Sequence, residues 1–413
     1  MKLSLFGRLA MALFASLALG LGMTACEGGT IGYMWVLGQQ YNQVAGFKID
    51  DYSGNLTNVQ NSPFSSNGAM PVSLVIKPGG RYVYVINQGT GGSATGPGTN
   101  QNIAVFSVGG DGILTFQQSY QTQGYVSEWA QFDSTGTYLY VLDKYAPTYN
   151  SLSGLFNGPN TDGNGAITVY ASDSTTGRLT LVTNSQTQRN GINTPFWEVG
   201  PSPFMMKTLA GCLFTANAGN QSVSPYTIGA NGQLTFTTTQ TFFTATGNMT
   251  SINGSGSLVY ITDAASNTID GFSIGSNCAL ATVNGGNTAN FPGTSNPTYT
   301  FIDASNKYLY VLNQSTVSTT PGTAYSSISA FIINSSNQEL TQIVGAPYPI
   351  GSGPVCIDED PTHQYMYVSN HNDGTISGKF FNPAGGQLSE LSRGSTFNAL
   401  GELSCLAVSG ATY

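Results

Sequence analysis

One short stretch recurs seven times along this chain. Its clearest copy is Tyr82-Val83-Tyr84-Val85-Ile86-Asn87. The others lie at 33–38 (YMWVLG), 138–143 (YLYVLD), 212–217 (CLFTAN), 258–263 (LVYITD), 308–313 (YLYVLN) and 365–370 (YMYVSN). Each combines aromatic and β-branched residues and is bounded by Gly, Asn or Asp, which suits a strand covered on both faces. Recurrence at intervals of roughly fifty to seventy residues means an array of similar units, not a set of unrelated domains.

Three further runs accompany this tyrosine strand. An inner run precedes it at Pro71–Ile76, 126–132, 196–199, 249–252, Pro297–Ile302 and 354–357. A run in which apolar residues alternate with small or polar ones follows, as in Ile103-Ala104-Val105-Phe106 and Ile328-Ser329-Ala330-Phe331, the mark of a half-exposed strand. A Gly-x-Leu-Thr turn and weak strand close the unit, as at Gly177-Arg178-Leu179-Thr180, where Gly supplies the positive φ of a tight hairpin. Four antiparallel strands per unit make a propeller blade. The chain ends fix the number of blades. The first unit opens on the tyrosine strand at Tyr33 without an inner run, and residues 403–408 form an inner run with nothing after it. Six whole units and one shared by the two ends predict an all-β, seven-bladed propeller over 33–413, closed without an exposed sheet edge.

The first 32 residues stand apart. Lys2 and Arg8 precede an apolar run over 9–21 that is short for a membrane span, so 1–25 reads as a signal peptide and 26–32 as a linker. Met23-Thr24-Ala25-Cys26 resembles a bacterial lipobox, in which the Cys becomes the lipid-bearing first residue; an ordinary secretory cleavage near Ala25 is the alternative. The expectation is an exported monomer at the cell envelope, held to a membrane through Cys26. Charged residues are 8% of the 413, and the formal net charge is −8 with no basic cluster. Nucleic-acid binding needs clustered Lys and Arg and is excluded.

An exported chain permits disulfides. Cys212, Cys278, Cys356 and Cys405 allow three pairings, and sequence does not choose among them. Cys356 and Cys405 hold the same place in consecutive inner runs, while Cys212 and Cys278 both fall near turns on one rim. Four buried, unpaired thiols are the other reading.

The motif that runs from Pro71 through Lys77-Pro78-Gly79-Gly80-Arg81 to Asn87, and again over 354–370, resembles the seven-bladed β-propeller lactonase family. Asn61-Ser62-Pro63-Phe64, echoed by Gly345-Ala346-Pro347-Tyr348, is similar to blade-joining segments of its exported members. The family includes 6-phosphogluconolactonases and muconate-type lactonising enzymes. The resemblance implies lactone chemistry by His, Glu and Arg on inner strands. The segment Thr194-Pro195-Phe196-Trp197-Glu198 lacks both histidines that members often carry there, so no catalytic histidine transfers. Glu128 and Glu198 alone stand at plausible positions.

Lactone opening needs a base for water and a group to hold the oxyanion. Glu128 and Glu198 each adjoin a Trp, whose burial would raise a carboxyl pKa, and Arg189 is the nearby cation. These three are the catalytic candidates, set against a structural role in bonding backbone amides. Trp129, Trp197, Asp143, Asn217, Asp263 and His371 are the candidate ligand-binding rim. With Asn87, Asn313 and Asn370, the residues that end the tyrosine strands form a circle of oxygen ligands that could hold Ca²⁺ or could simply cap turns. Residues 160–165 imitate the start of a calcium loop, but Ala171 stands where its bidentate Glu belongs. No other cofactor is implied. Three long insertions, 88–102, 144–165 and 314–327, share one rim, and long irregular loops are where function concentrates. Two functions follow. The first is an envelope binding module for a glycan, peptide or protein; the alternative is a lactone hydrolase.

Overall fold

The computed structural model describes residues 29–237, 243–244, 247–283, 295–314 and 326–410. The expected leader, the lipid site at Cys26 and most of the third insertion lie outside them. Seven sheets, each with four strands in sequential antiparallel order, make the ring. The first blade is Pro71–Ile76, Tyr82–Asn87, Asn102–Val108 and Leu114–Tyr120, and the sixth ends with Leu388–Glu390. In the seventh, Leu403–Gly410 pairs with Thr30–Gly38, with Met34 opposite Val408 and Trp35 opposite Ala407. The two chain ends therefore share a blade, as the sequence predicts, and no inner strand is left unpaired.

The tyrosine strands are buried because each is the second strand of its blade, covered by both neighbours. Trp35, Tyr84, Tyr140, Tyr260, Tyr310 and Tyr367 are among the largest fully buried side chains. Their polar tips reach the next blade. Tyr84 donates to the Gly177 carbonyl at 2.7 Å, Tyr310 to Gly386 at 2.8 Å, Tyr367 to Gly54 at 2.7 Å and Trp35 to Gly112 at 3.2 Å. The receiving glycine opens the outer hairpin, which explains why the tyrosine strand and the Gly-x-Leu-Thr turn recur together. Gly386 needs its lack of a side chain twice over. Its φ is +73°, and a Cβ would lie 2.5 Å from the Tyr308 ring.

Two tyrosines lack this bond, since the hydroxyls of Tyr140 and Tyr260 are buried with no partner. Tyr310→Phe should therefore cost about 1 kcal/mol in urea denaturation, and Tyr260→Phe should be neutral or stabilising. Equal losses at both positions would contradict this reading of the inter-blade contact.

Both disulfides join consecutive blades: Cys212–Cys278, with Cα atoms 5.7 Å apart, and Cys356–Cys405, at 5.2 Å. Cys212 holds the place of the first Tyr of a tyrosine strand, and Cys278 that of the next blade's turn glycine. The covalent bond replaces the ring-on-glycine contact found elsewhere.

One inner strand differs from expectation. The third blade's is Pro203–Leu209, not 196–199. It meets Cys212–Asn217 through a two-residue turn, Ala210-Gly211, with both φ positive, which is the geometry of a type I′ hairpin. The stretch Trp197–Pro201 instead adds a fifth strand to the second blade, with Ile167 opposite Trp197 and Ala166 opposite Glu198. Phe64–Ser65 and Tyr348–Pro349 do the same in their blades, so the blade-joining segments lie against third strands.

Candidate functional site

Inner strands line the axis of the ring, and their register shows which side chains meet there. Opposite the third residue of each tyrosine strand motif stand Val75, Gln131, Lys207, Asn253, Phe301, Asp358 and Ala407. All seven line one axial cavity of about 500 Å³, with Trp129, Tyr299 and the Cys356–Cys405 disulfide in its wall. A seven-membered ring places the third and sixth blades on opposite sides, so Lys207 and Asp358 face each other across it.

The two charges have unlike surroundings. Asp358 accepts from the Val408 amide at 2.9 Å and from its neighbour's amide, Glu359 N–H, at 3.0 Å. Burial nevertheless pushes its carboxyl up to about 7, beyond what those amides and Lys207 offset. Burial lowers the Lys207 ammonium to about 8, and Asp358 acts against that shift. Among the described residues Lys207 has no hydrogen-bond or ion-pair partner. Gln131 and Asn253 are held by neighbouring blades, Gln131 accepting from Thr208 N–H at 2.9 Å and Asn253 donating to the Thr300 carbonyl at 2.5 Å. Tyr299 packs against Trp129, with ring centroids 6.3 Å apart, and burial followed by the Asp358 charge drives its hydroxyl pKa up. Asp358 also lines a groove of about 440 Å³ on the rim of first-to-second strand turns, which gives the cavity an approach.

Glu128 lies nearer the other end of the channel. The pairing skips it between Ser127 and Trp129, so it is the extra residue of a β-bulge, a device that redirects a side chain. Val72, Phe204, Thr250, Thr298 and Val355 hold the same place in other blades, where Thr250 and Thr298 bond the opening proline carbonyl of the next inner strand. Burial raises the Glu128 carboxyl to about 7, against the pull of Lys144.

The other expected catalytic residues are elsewhere. Glu198 is exposed on the joining strand and accepts from Asn164 Nδ2 at 2.7 Å. It shares a pocket of about 660 Å³ with Arg189 and Trp197, which Glu128 does not line. The three expected catalytic groups therefore do not converge, because Glu198 is not on an inner strand.

The expected polar rim also changes. Asp143 is buried and accepts from Gly124 N–H, Ser127 Oγ and Thr168 Oγ1. Asn217 bonds Ser222 and Ser224, and Asp263 accepts three backbone amides at Asn248, Ala265 and Ser266. These side chains cap turns and leave few sites for a ligand. His371 is half-buried, with Nδ1–H donating to the Leu403 carbonyl at 2.7 Å. Asn160 in the calcium-like loop bonds the Ala146 and Asn164 carbonyls. Among the described residues no three His, Cys, Asp or Glu side chains gather as a metal site. Sequence reasoning missed Lys207 and Asp358. Aligning the inner strands on their tyrosine-strand partners would have exposed two charges at an otherwise uncharged position.

The family described as Lactonase, 7-bladed beta-propeller, matches residues 30–151 and 281–394, more than half of the chain. Among solved structures, the chain is similar to a candidate 6-phosphogluconolactonase from Bacteroides fragilis, with 15% identity, TM-score 0.68, and 92% of this chain and 98% of that one covered. It is also similar to a periplasmic gluconolactonase, PpgL, from Pseudomonas aeruginosa, with 16% identity, TM-score 0.65, and 92% and 100% covered. At these identities the likeness is one of fold. No curated protein sequence matches. The family match, carried on a ring of seven blades, makes this chain a member of the seven-bladed β-propeller lactonase family.

Proposed function

We propose that the protein hydrolyses a lactone in its axial cavity, with Asp358 as general base and Lys207 as oxyanion stabiliser. The observation that carries this is the pair itself: a carboxylate and a free ammonium on opposite walls of one cavity. Membership of the family and the gluconolactonase name of one structural neighbour support the same reaction class. The Asp358 carboxylate takes a proton from water as the water oxygen attacks the lactone carbonyl. The carbonyl electrons move onto oxygen, where the Lys207 ammonium offsets the new negative charge. The ring C–O bond then breaks, its electrons stay on the departing oxygen, and that oxygen takes the proton held by Asp358. The product is the open hydroxy acid. A phosphate group would call for several cations, and Lys207 is the one cation among the lining residues, so the substrate is an unphosphorylated sugar lactone.

The pH profile tests this. Asp358 must be deprotonated and Lys207 protonated, so kcat/KM should rise through about pH 7 and fall through about pH 8. Lys207→Arg should move the upper limb beyond the measurable range. A profile flat from pH 6 to 9 on every lactone that turns over would contradict the assignment. So would loss of turnover in Glu128→Gln with Asp358→Asn unaffected, which would place the base at the bulge instead. An exported, lipid-anchored location through Cys26 rests on the residue pattern at 1–26 alone. Palmitate labelling that persists in Cys26→Ser would refute it.

A further inference from the structure

A second cavity lies off the axis. It is a pocket of about 660 Å³ on the rim of the insertions, walled by two short hairpins. One hairpin, Thr148–Asn150 with Leu155–Gly158, belongs to the second insertion. The other, Asn184–Arg189 with Ile192–Thr194, fills the connection between the second and third blades. Two aromatic groups face the space. Tyr149 meets Phe156 at 5.3 Å and Phe156 meets Phe196 at 5.7 Å, while on the other side Tyr226 meets Phe236 at 5.4 Å. Trp197 lies in the wall, 4% exposed, and its indole N–H has no partner in the protein.

The polar lining is of amide and hydroxyl type: Asn184, Gln186, Gln188, Thr187 and Thr194. Arg189 is the single cation, set against two carboxylates, Asp162 and Glu198. That balance disfavours a polyanion and equally a strongly cationic ligand. A purely apolar ligand is disfavoured too, since a lipid chain would cover this polar lining and leave the Trp197 indole N–H unpaired. Aromatic faces carry negative charge at their centres and suit the slightly positive C–H faces of a pyranose. Side-chain amides, and one carboxylate beside one guanidinium, suit its hydroxyls. Cavities of this kind, apolar with a few directed polar groups, are where ligands bind.

We infer that this pocket binds a neutral oligosaccharide and is a second site, separate from the axial cavity. Glycan binding there would keep the axial cavity close to a carbohydrate source. It requires no residue of the proposed hydrolytic pair, so either reading can fail without the other.

The test is titration of the purified protein with neutral hexasaccharides of glucose, xylose and N-acetylglucosamine, read by tryptophan fluorescence and by calorimetry. At least one should bind, and Tyr149→Ala and Phe236→Ala should each weaken it about tenfold, the scale of one lost stacking contact. Both positions are partly exposed, so their melting temperatures should stay near wild type; Gln188→Ala offers a polar control that should weaken binding by less. Three results would overturn the inference: no binding by any of the neutral sugars, binding unaffected by both aromatic variants, or tighter binding of a hexagalacturonate than of every neutral sugar.

Discussion

Asp358→Asn should cut lactone turnover at least a hundredfold while making the protein more stable. The substitution keeps the shape of the side chain and removes its capacity to take a proton from water. Loss of a general base costs about 10²–10⁴ in rate, so kcat/KM should fall by at least a hundredfold. The stability change follows from the raised carboxyl pKa. Folded Asp358 holds its proton up to about 7, whereas the unfolded chain releases it near the ordinary value of 3.8. Between those values the folded state binds more protons, and stability falls as pH rises. At pH 8 the wild type carries the full cost of that buried charge. One pH unit of displacement is worth about 1.4 kcal/mol, and the little solvent that reaches this mostly buried side chain screens part of it, which leaves a gain of about 1–2 kcal/mol for the neutral amide. Urea denaturation at pH 8 and pH 4 checks both parts: the variant should be more stable at pH 8 and close to wild type at pH 4. A variant that is inactive and also less stable at pH 8 would mean that Asp358 serves the fold and not the reaction.

Removing residues 403–413 should prevent folding altogether. Leu403–Gly410 is the inner strand of the seventh blade, and without it Trp35 and its neighbours, fully buried in the native protein, face the open channel. The loss also removes the Cys356–Cys405 bond and the Ser404 contact to the Pro71 carbonyl, 2.7 Å, which joins the last blade to the first. A folded domain has only about 5–15 kcal/mol in reserve, and a ring opened at its seam exceeds that. Cys405→Ser separates the contributions. It keeps the strand, loses the disulfide, and should cost about 2–4 kcal/mol, with a folded protein remaining. Circular dichroism and gel filtration distinguish the cases. A truncated chain that still melts in one cooperative transition at the wild-type radius would show that the seam does not close the ring.

The architecture was legible because it is repeated. A strand written seven times, with complementary ends, leaves one closed arrangement, and even the split blade follows from Tyr33 having no inner run before it. The disulfides were half legible. Cys212 falls in the tyrosine strand and Cys278 in the turn, but the ring-to-glycine contact that brings those places together is a tertiary fact. The third inner strand was misread, at the point where the repeat itself is irregular. A two-residue turn at Ala210-Gly211 draws the third inner strand close to its partner, and the strand-like Phe196-Trp197-Glu198-Val199 took its place in the reading. That error hid Lys207 and promoted Glu198. Asp358 escaped notice for another reason. Alone in Cys356-Ile357-Asp358-Glu359 it looks like a strand-end acid, and only the cation three blades away gives it a role.

Lys207 and Asp358 should act on one substrate inside the ring. A crystal structure of Asp358→Asn soaked with an unphosphorylated sugar lactone tests it most directly. The intact lactone should lie in the axial cavity, with its carbonyl oxygen within hydrogen-bonding distance of Lys207 Nζ. Lactone seated beside Glu128 or in the rim pocket, with the axial cavity empty, would contradict it.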